Sequence, residues 1–165
     1  RAMFCKMVQH QINEAKRYDR QFSLLFMDLD GFKAVNDNLG HDAGDEIIRE
    51  VVRLLNTIIR RGDHVCRIGG DEFAVLFCDP EPPREAGSNH PTTVEFLAKR
   101  FKDQVARAHF SKLGKDAQGL VSISGGLATF PWDGTEVDTL LRKADERLFE
   151  SKRHGKNTIT LGQDS

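Results

Sequence analysis

Two short apolar segments with glycines and acidic residues between them place the strongest constraint on the fold of this chain. Residues 64–68 and 73–78 have strand-like patterns, and Gly69, Gly70, Asp71 and Glu72 lie at or next to the turn between them. This arrangement predicts a β-hairpin whose tip carries carboxylates. Glycines permit positive φ and let a ligand approach the backbone closely. Carboxylates at such a turn suit Mg²⁺, which shares its oxygen ligands with substrate phosphates, although the same residues also form ordinary polar turns.

A second acidic segment follows an apolar run nearer the start of the chain. Residues 22–27 are predicted to form a buried strand, and Asp28 and Asp30 come at its end. Acidic residues at the carboxyl end of a buried strand are common in metal and phosphate sites of α/β folds. We expect Asp28 to lie beside Asp71 and Glu72, where three carboxylates repel one another unless a cation binds. Asp30 is expected to cap the next helix rather than to bind metal.

The rest of the chain alternates between helical and strand patterns. The apolar spacing predicts helices over residues 3–19, 32–38, 43–60 and 93–109 and from about 135, with strands over 120–128 and 158–161. The hairpin requires antiparallel pairing, and the helices between the other strands require crossovers. The expected fold class is therefore α/β (α+β), with a mixed, mainly antiparallel five-stranded sheet flanked by helices. Residues 79–92, which contain four of the five prolines, are expected to form a mobile insertion.

Composition excludes several classes of protein. The chain has 165 residues, of which 39% are hydrophobic and 30% charged, and its net charge of −1 gives no general attraction for nucleic acid. Three cysteines without metal-type spacing favour a reducing, cytoplasmic compartment. The hairpin is expected to place Cys66 opposite Val75, so a disulfide with Cys78 is not expected. No apolar run approaches the ~18 residues of a membrane span, and no signal peptide is visible.

The two acidic elements and the residues around them resemble the GGDEF family of diguanylate cyclases. The resemblance covers nearly the whole chain and rests on Met27–Lys33, Asn36-Asp37, Gly40-His41, Gly44-Asp45, Arg67–Phe73, Val121–Gly126, Ala144-Asp145 and Lys152–Asn157. It implies a palm-like fold shared with class III nucleotidyl cyclases and some polymerases. It also implies that residues 1–165 are a single catalytic domain excised from a longer protein. The missing N-terminal region, a sensor, would provide any contact with a membrane.

The resemblance implies a metal and triphosphate site. Mg²⁺ or Mn²⁺ would bind Asp28, the backbone carbonyl of Leu29, Asp71 and Glu72, with Asp71 and Glu72 as catalytic residues. Gly69 and Gly70 would form the signature loop. Candidates for binding the phosphates are Phe32 and Lys33 at the start of a helix, and Lys152 and Lys156 near the end of another. The family usually has arginine at the position of Lys156 and isoleucine at that of Gly125.

The resemblance also implies two sites for guanine. Asn36 and Asp45 would recognise the base of GTP, although Asn36 also suits a helix end and Asp45 a helix start. Arg60 and Asp63 match an Arg-x-x-Asp inhibitory site for the product, cyclic di-GMP, and Arg100 would be a secondary arginine of that site. A helix-end arginine followed by a turn aspartate is the simpler alternative.

The implied activity is condensation of two GTP molecules into cyclic di-GMP and two pyrophosphates. It requires a homodimer, because each bound GTP must attack the other, and the Arg-x-x-Asp site would impose product inhibition. One alternative is a catalytically silent module that binds GTP or cyclic di-GMP and signals through contacts. Another is a different nucleotidyl cyclase or polymerase-like enzyme, which would need a different base pocket. No nucleic acid partner is expected.

Overall fold

The computed structural model describes residues 1–78, 90–115 and 119–162. In order, its elements are α1 (Ala2–Tyr18), β1 (Phe22–Asp30), α2 (Phe32–Leu39), α3 (His41–Ile58), β2 (His64–Arg67), β3 (Glu72–Cys78), α4 (His90–Arg107), a short 3₁₀ helix (Ser111–Leu113), β4 (Ser122–Phe130), α5 (Val137–Arg153) and β5 (Ile159–Thr160). The predicted helices and strands are all present. Most of the expected insertion, residues 79–89, lies outside the described residues, and α4 begins at His90, earlier than predicted.

The sheet has the strand order β2-β3-β1-β4-β5, with β1 at its centre. Strand β1 pairs antiparallel with both β3 and β4, whereas β4 and β5 are parallel. The predicted mixed, mainly antiparallel sheet of five strands is therefore confirmed. Strand β1 is longer than expected, since its ladder with β4 continues to Asp30 opposite Ser122. Both acidic residues thus belong to the strand itself.

Apolar residues of β1 alternate between two cores, one on each face of the sheet. Leu25, Met27 and Leu29 pack into a cluster with α3 and α4. Phe22, Leu24 and Phe26 pack into a second cluster, with α1 and α5. Burial on both faces explains why β1 is a nearly continuous apolar run rather than an alternating one. The acidic end of β1 is consequently fixed between two packed layers.

The hairpin differs by one residue from the predicted register. Cys66 lies opposite Ala74, not Val75, because Arg67 pairs with Phe73 and the turn is centred on Gly70. The turn is closed by the N–H groups of Ile68 and Gly69, which both donate to the carbonyl of Glu72 at 2.9 and 3.4 Å. No disulfide joins Cys66 to Cys78, as expected.

Among residues 1–78, 90–115 and 119–162, no helix combines the length and the apolar character that crossing a bilayer requires.

Candidate active site

The acidic end of β1 and the tip of the β2–β3 hairpin meet at one end of the sheet. Asp28 lies directly opposite Glu72 in the antiparallel ladder. The N–H of Leu29 donates to the carbonyl of Asp71 at 3.1 Å, which continues the contact one residue past the ladder. The structure therefore brings Asp28, Asp71 and Glu72 together as the sequence predicts.

Arg67 stabilises the turn of the β2–β3 hairpin through hydrogen bonds to its backbone. Its Nη2 donates to the carbonyl of Gly70 at 2.7 Å, and its Nε donates to the carbonyls of Gly69 and Gly70 at 3.2 and 3.1 Å. These bonds fix the two glycines and the acidic residues that follow them. Sequence reasoning assigned no role to Arg67. Its place directly before the turn was the available signal, because a planar guanidinium can satisfy several carbonyls at once.

Asp28 is buried, and its carboxylate forms an ion pair with the ammonium of Lys152 at the end of α5. Burial raises the pKa of Asp28 above its ordinary value, and the hydrogen bond and charge of Lys152 offset only part of that rise. Burial lowers the pKa of Lys152, but the hydrogen bond and charge of Asp28 outweigh it, so the net pKa of Lys152 is raised. Lys152 thus partly neutralises the acidic cluster.

The acidic cluster has the oxygen ligands that a hard cation prefers, but its side chains do not converge on a single point. Across residues 1–78, 90–115 and 119–162, no three His, Cys, Asp or Glu side chains converge closely enough to hold a metal ion. Asp28 Oδ1 is nevertheless buried without a hydrogen-bond partner, which is costly for a carboxylate oxygen. Carboxylate oxygens are the ligands that Mg²⁺ and Mn²⁺ prefer. The orphaned oxygen and the donor set therefore fit a divalent cation.

An open pocket of about 470 Å³ lies beside Asp28. The end of β1 and the first turn of α2 form one wall, and Lys152 and Lys156 form the other. The amides that begin a helix have no partners within it and bind anions well. Lys33 and Asp37 also line the pocket. The pocket thus has the size and the cations for several phosphate groups, and Asp37 is a wall residue that sequence reasoning did not assign.

The four predicted phosphate residues occupy two of the pocket walls. Lys33, Lys152 and Lys156 expose their side chains, whereas the Phe32 ring is half-buried against the core around α3 and α4. Any contribution of Phe32 to phosphate binding therefore comes from its backbone. Gly31, with φ 80°, precedes the helix and lies so close to the Leu120 carbonyl that a side chain would overlap it.

The predicted guanine residues flank the contact between α2 and α3. Asn36 lies within α2 and touches Gly44, and Gly44 directly precedes Asp45 in α3. Asn36 Oδ1 is buried and has no hydrogen-bond partner, while Asp45 is exposed. A buried amide oxygen without a donor is suited to a ligand that brings one.

The Arg-x-x-Asp pair is already bonded to the protein. Asp63 has a fully buried side chain, and its Oδ2 accepts from the backbone N–H of Arg60 at 2.8 Å and from Arg60 Nε at 3.4 Å. Its Oδ1 accepts from the N–H of Cys78 at 2.9 Å. About a third of the Arg60 side chain is exposed, and Arg100 is exposed on α4. In this conformation Asp63 orients Arg60, and both of its oxygens accept hydrogen bonds from the protein.

Asp30 does not cap α2, contrary to the prediction. The residue before that helix is Gly31, and no side chain caps it. The carboxylate of Asp30 points instead towards β4 and the end of α5, where it accepts hydrogen bonds from Ser122, Ser124 and the backbone of Asn157. The cause is the extra length of β1, which keeps Asp30 in the sheet.

Known proteins share both this sequence pattern and this fold. The sequence matches the family described as "Diguanylate cyclase, GGDEF domain" over residues 1–158. This chain belongs to the GGDEF family. It is 38% identical over 152 residues to the bifunctional diguanylate cyclase/cyclic di-GMP phosphodiesterase MucR of Pseudomonas aeruginosa, covering 91% of this chain and 20% of that protein. It is 29% identical to diguanylate cyclase A of Treponema denticola, covering 98% and 41% respectively. The domain thus spans less than half the length of these two relatives.

Solved GGDEF domains have the same architecture. The GGDEF domain of DgcB from Caulobacter crescentus, crystallised in complex with c-di-GMP, is 28% identical with a TM-score of 0.77, covering 98% of this chain and 89% of that one. The GGDEF domain of YfiN from Pseudomonas aeruginosa is 29% identical with a TM-score of 0.78, covering 99% and 89%. The family and the fold expected from the sequence are therefore confirmed.

Proposed function

We propose that this GGDEF domain, residues 1–165, is a diguanylate cyclase that condenses two GTP molecules into cyclic di-GMP and two pyrophosphates. The observation that carries the proposal is the meeting of Asp28, Asp71 and Glu72 at one end of the sheet, beside a pocket lined by lysines. Relatives named as diguanylate cyclases support it.

The pocket residues would hold the triphosphate. The first amides of α2, Lys33 and Lys156 can bind phosphate oxygens, and Lys152 lies where its ammonium can reach the same anion. Asp28, Asp71, Glu72 and the carbonyl of Leu29 would hold Mg²⁺ or Mn²⁺. When bound, such an ion neutralises phosphate charge and makes the ribose 3′-hydroxyl easier to deprotonate.

The reaction forms one phosphodiester bond at a time. The 3′-oxygen of one GTP attacks the α-phosphorus of the other, the bond to the β-phosphate oxygen breaks, and pyrophosphate leaves with the electron pair. The 3′-hydroxyl proton is lost to solvent or to a nearby base. A second, equivalent attack closes the ring. Two domains must therefore face each other as a homodimer, each binding one GTP.

Guanine recognition would come from Asn36 and Asp45. A carboxylate at Asp45 can accept from guanine N1–H and N2–H₂ together, and the Asn36 amide can meet the remaining edge. Adenine lacks this pattern of donors and would leave buried polar groups unpaired. Cyclic di-GMP would bind a separate inhibitory site at Arg60, where Asp63 orients the guanidinium and Arg100 adds a second cation.

The test is incubation of the domain with GTP and Mg²⁺, with products separated by chromatography and identified by mass. The domain would be studied alone and fused to a dimeric coiled coil, each with Asp71→Asn as the matched control. We expect cyclic di-GMP from the dimer, loss of synthesis with Asp71→Asn, and more product with Arg60→Ala. An enforced dimer that binds cyclic di-GMP but makes none would instead identify a silent receptor module.

A further inference from the structure

Asp30 is a buried carboxylate to which the proposed reaction assigns no task. It is 8% exposed, and each bond it makes is to a neutral donor. Its Oδ2 accepts from Ser122 Oγ at 2.8 Å, Ser124 Oγ at 2.9 Å and the backbone N–H of Asn157 at 3.1 Å, and Oδ1 accepts from Ser124 Oγ at 2.9 Å. A carboxylate buried among apolar strands is costly, and these bonds compensate it.

The Asn157 amide belongs to a backbone segment that needs support. Gly155, Lys156 and Asn157 have successive φ values of 100°, 66° and 47°. A helix ending needs a single left-handed residue, and Gly155 is well suited to that task. The left-handed conformation is rare for lysine, and two further residues in it are not required by the end of α5.

Hydrogen bonds on both sides hold this segment. The N–H of Lys156 donates to the Ser151 carbonyl at 3.1 Å, which ties the segment back to α5. The N–H of Asn157 donates to Asp30 at 3.1 Å, which ties it to the end of β1. Between these two bonds lies Lys156, an exposed residue that lines the pocket beside Asp28. Asp30 therefore acts on the residue that turns Lys156 towards the pocket.

We propose that Asp30 is a positioning residue, whose bond to the Asn157 amide fixes the left-handed turn and aims Lys156 at the nucleotide phosphates. The inference rests on the proposed function in one respect, that Lys156 binds phosphate. In this role Asp30 acts through the Asn157 amide, although Asp30 also lines the pocket. The bond from Asn157 to Asp30 connects strand β1 to the turn that contains Lys156, and it thereby fixes the distance between the two walls of the pocket.

Binding measurements separate this role from a general structural one. A non-hydrolysable GTP analogue and guanosine would be titrated into wild type, Asp30→Ala, Lys156→Ala and the double variant. We expect Asp30→Ala to weaken the analogue about tenfold, as the loss of one charged contact does, and to change guanosine by less than about twofold. The double variant should bind no more weakly than Lys156→Ala alone. Equal weakening of both ligands, or additive losses in the double variant, would overturn the proposal.

Two further variants keep the test decisive if Asp30→Ala does not fold. Asp30→Asn retains an oxygen that can accept from the Asn157 amide, and its NH₂ group can donate to the Ser124 hydroxyl oxygen. We therefore expect Asp30→Asn to recover most of the affinity for the analogue that Asp30→Ala loses. Ser122→Ala removes one donor but not the bond to Asn157, and it should bind the analogue as wild type does. If Asp30→Asn binds the analogue as weakly as Lys156→Ala, or Ser122→Ala does so, the specific bond to Asn157 is not what matters.

Amide hydrogen exchange gives a readout that needs no ligand. The Asn157 N–H should exchange at least about tenfold faster in Asp30→Ala than in wild type, while the Lys156 N–H, bonded to Ser151, changes less. Equal protection of Asn157 in both proteins would contradict the proposal. Failure of the proposed function is recognised separately, because wild type would then bind no GTP analogue and make no cyclic di-GMP.

Discussion

Gly44 illustrates how a single residue can control a candidate base pocket. A Cβ at this position would overlap Asn36 Oδ1, so only glycine lets the Asn36 side chain keep its place. The conflict involves the end of a flexible side chain and not the backbone. The helix can therefore accept alanine if Asn36 rotates away, which would remove the orphaned amide oxygen from the site.

We accordingly expect Gly44→Ala to impair GTP binding without unfolding the domain. Alanine favours a helix interior over glycine by up to about 1 kcal/mol, which offsets the displacement of Asn36. GTP affinity should fall about tenfold, as for Asn36→Ala, with no further loss in the double variant. Calorimetric titration and thermal melting measure the two effects, and Asp42→Ala, at an exposed position in the first turn of the same helix, is the control. Normal GTP affinity in Gly44→Ala would exclude Asn36 from base recognition.

At the scale of elements, strand β4 and helix α5 contact through their backbones at Gly126. A Cβ there would overlap the carbonyl of Ala144 and the amide of Leu148, and it would lie 2.8 Å from Arg147 Cβ. Neighbouring Gly125 is less constrained, because its Cβ would meet Leu25, Phe26 and Ile159 atoms at 3.1 to 3.3 Å. This chain therefore departs from the family's usual Ile-Gly pair only at Gly125, and it retains glycine at position 126, where the helix backbone leaves no room for a side chain.

The two glycines form a matched pair for a stability test. Gly126→Ala should lower the free energy of unfolding by at least about 2 kcal/mol, since a helix backbone must move. Gly125→Ala should change it by less than about 1 kcal/mol, because two of its three contacts are side-chain ends that can shift. Chemical denaturation of both variants measures the difference. Equal effects would show that α5 adjusts its position freely over the sheet.

A second contact between α5 and the end of β4 is electrostatic. Arg147 binds Asp133 through two bonds of 2.5 and 2.8 Å and donates to the Leu127 carbonyl at 2.6 Å, and both side chains are 14% exposed. Asp133 also accepts from the Thr129 amide at 2.8 Å. Burial raises the pKa of Asp133, but the bonds from Arg147 and Thr129 outweigh it, and the net pKa lies below the ordinary value of 3.8.

This pair predicts a specific acid sensitivity. Because the pKa is lower in the folded protein, the contribution of Asp133 is complete above about pH 3.8 and is lost as pH falls through the folded value. Asp133→Asn should cost about 3 kcal/mol at pH 7 and progressively less below pH 3.8. Urea denaturation across this range tests it, with exposed Asp138→Asn as control. A constant difference between wild type and Asp133→Asn down to the lowest pH would refute the assignment.

The sequence predicted helices and strands well where the pattern of neighbouring residues determines the structure. The apolar run of β1 and the glycine turn predicted the central sheet and its acidic end. The hairpin register was wrong by one residue, because the pattern does not specify how many residues the turn uses. The role of Asp30 was missed because its partners lie 92 to 127 residues away, and only the folded sheet brings them together. The role of Arg67 was missed although its partners are only two and three residues away, because hydrogen bonds to backbone carbonyls produce no hydrophobic pattern in the sequence.

For the whole molecule, the proposed chemistry requires one competent site for each phosphodiester bond of the product. Cyclic di-GMP contains two phosphodiester bonds, and each domain is proposed to supply one competent site. A dimer with one wild-type domain and one Asp71→Asn domain should therefore form a single bond. We expect the linear dinucleotide pppGpG to accumulate, with cyclic di-GMP reduced at least about tenfold.

Coiled-coil partners that pair only with each other would enforce this heterodimer, and mass spectrometry would identify its products. Wild-type and doubly substituted dimers prepared with the same coiled coils are the controls, and guanosine binding would establish that the Asp71→Asn site remains folded. Cyclic di-GMP made by the heterodimer at half the wild-type rate or more would mean that one site forms both bonds in turn. The symmetric mechanism, with each 3′-hydroxyl attacking across the dimer, would then have to be abandoned even though the cyclase activity stands.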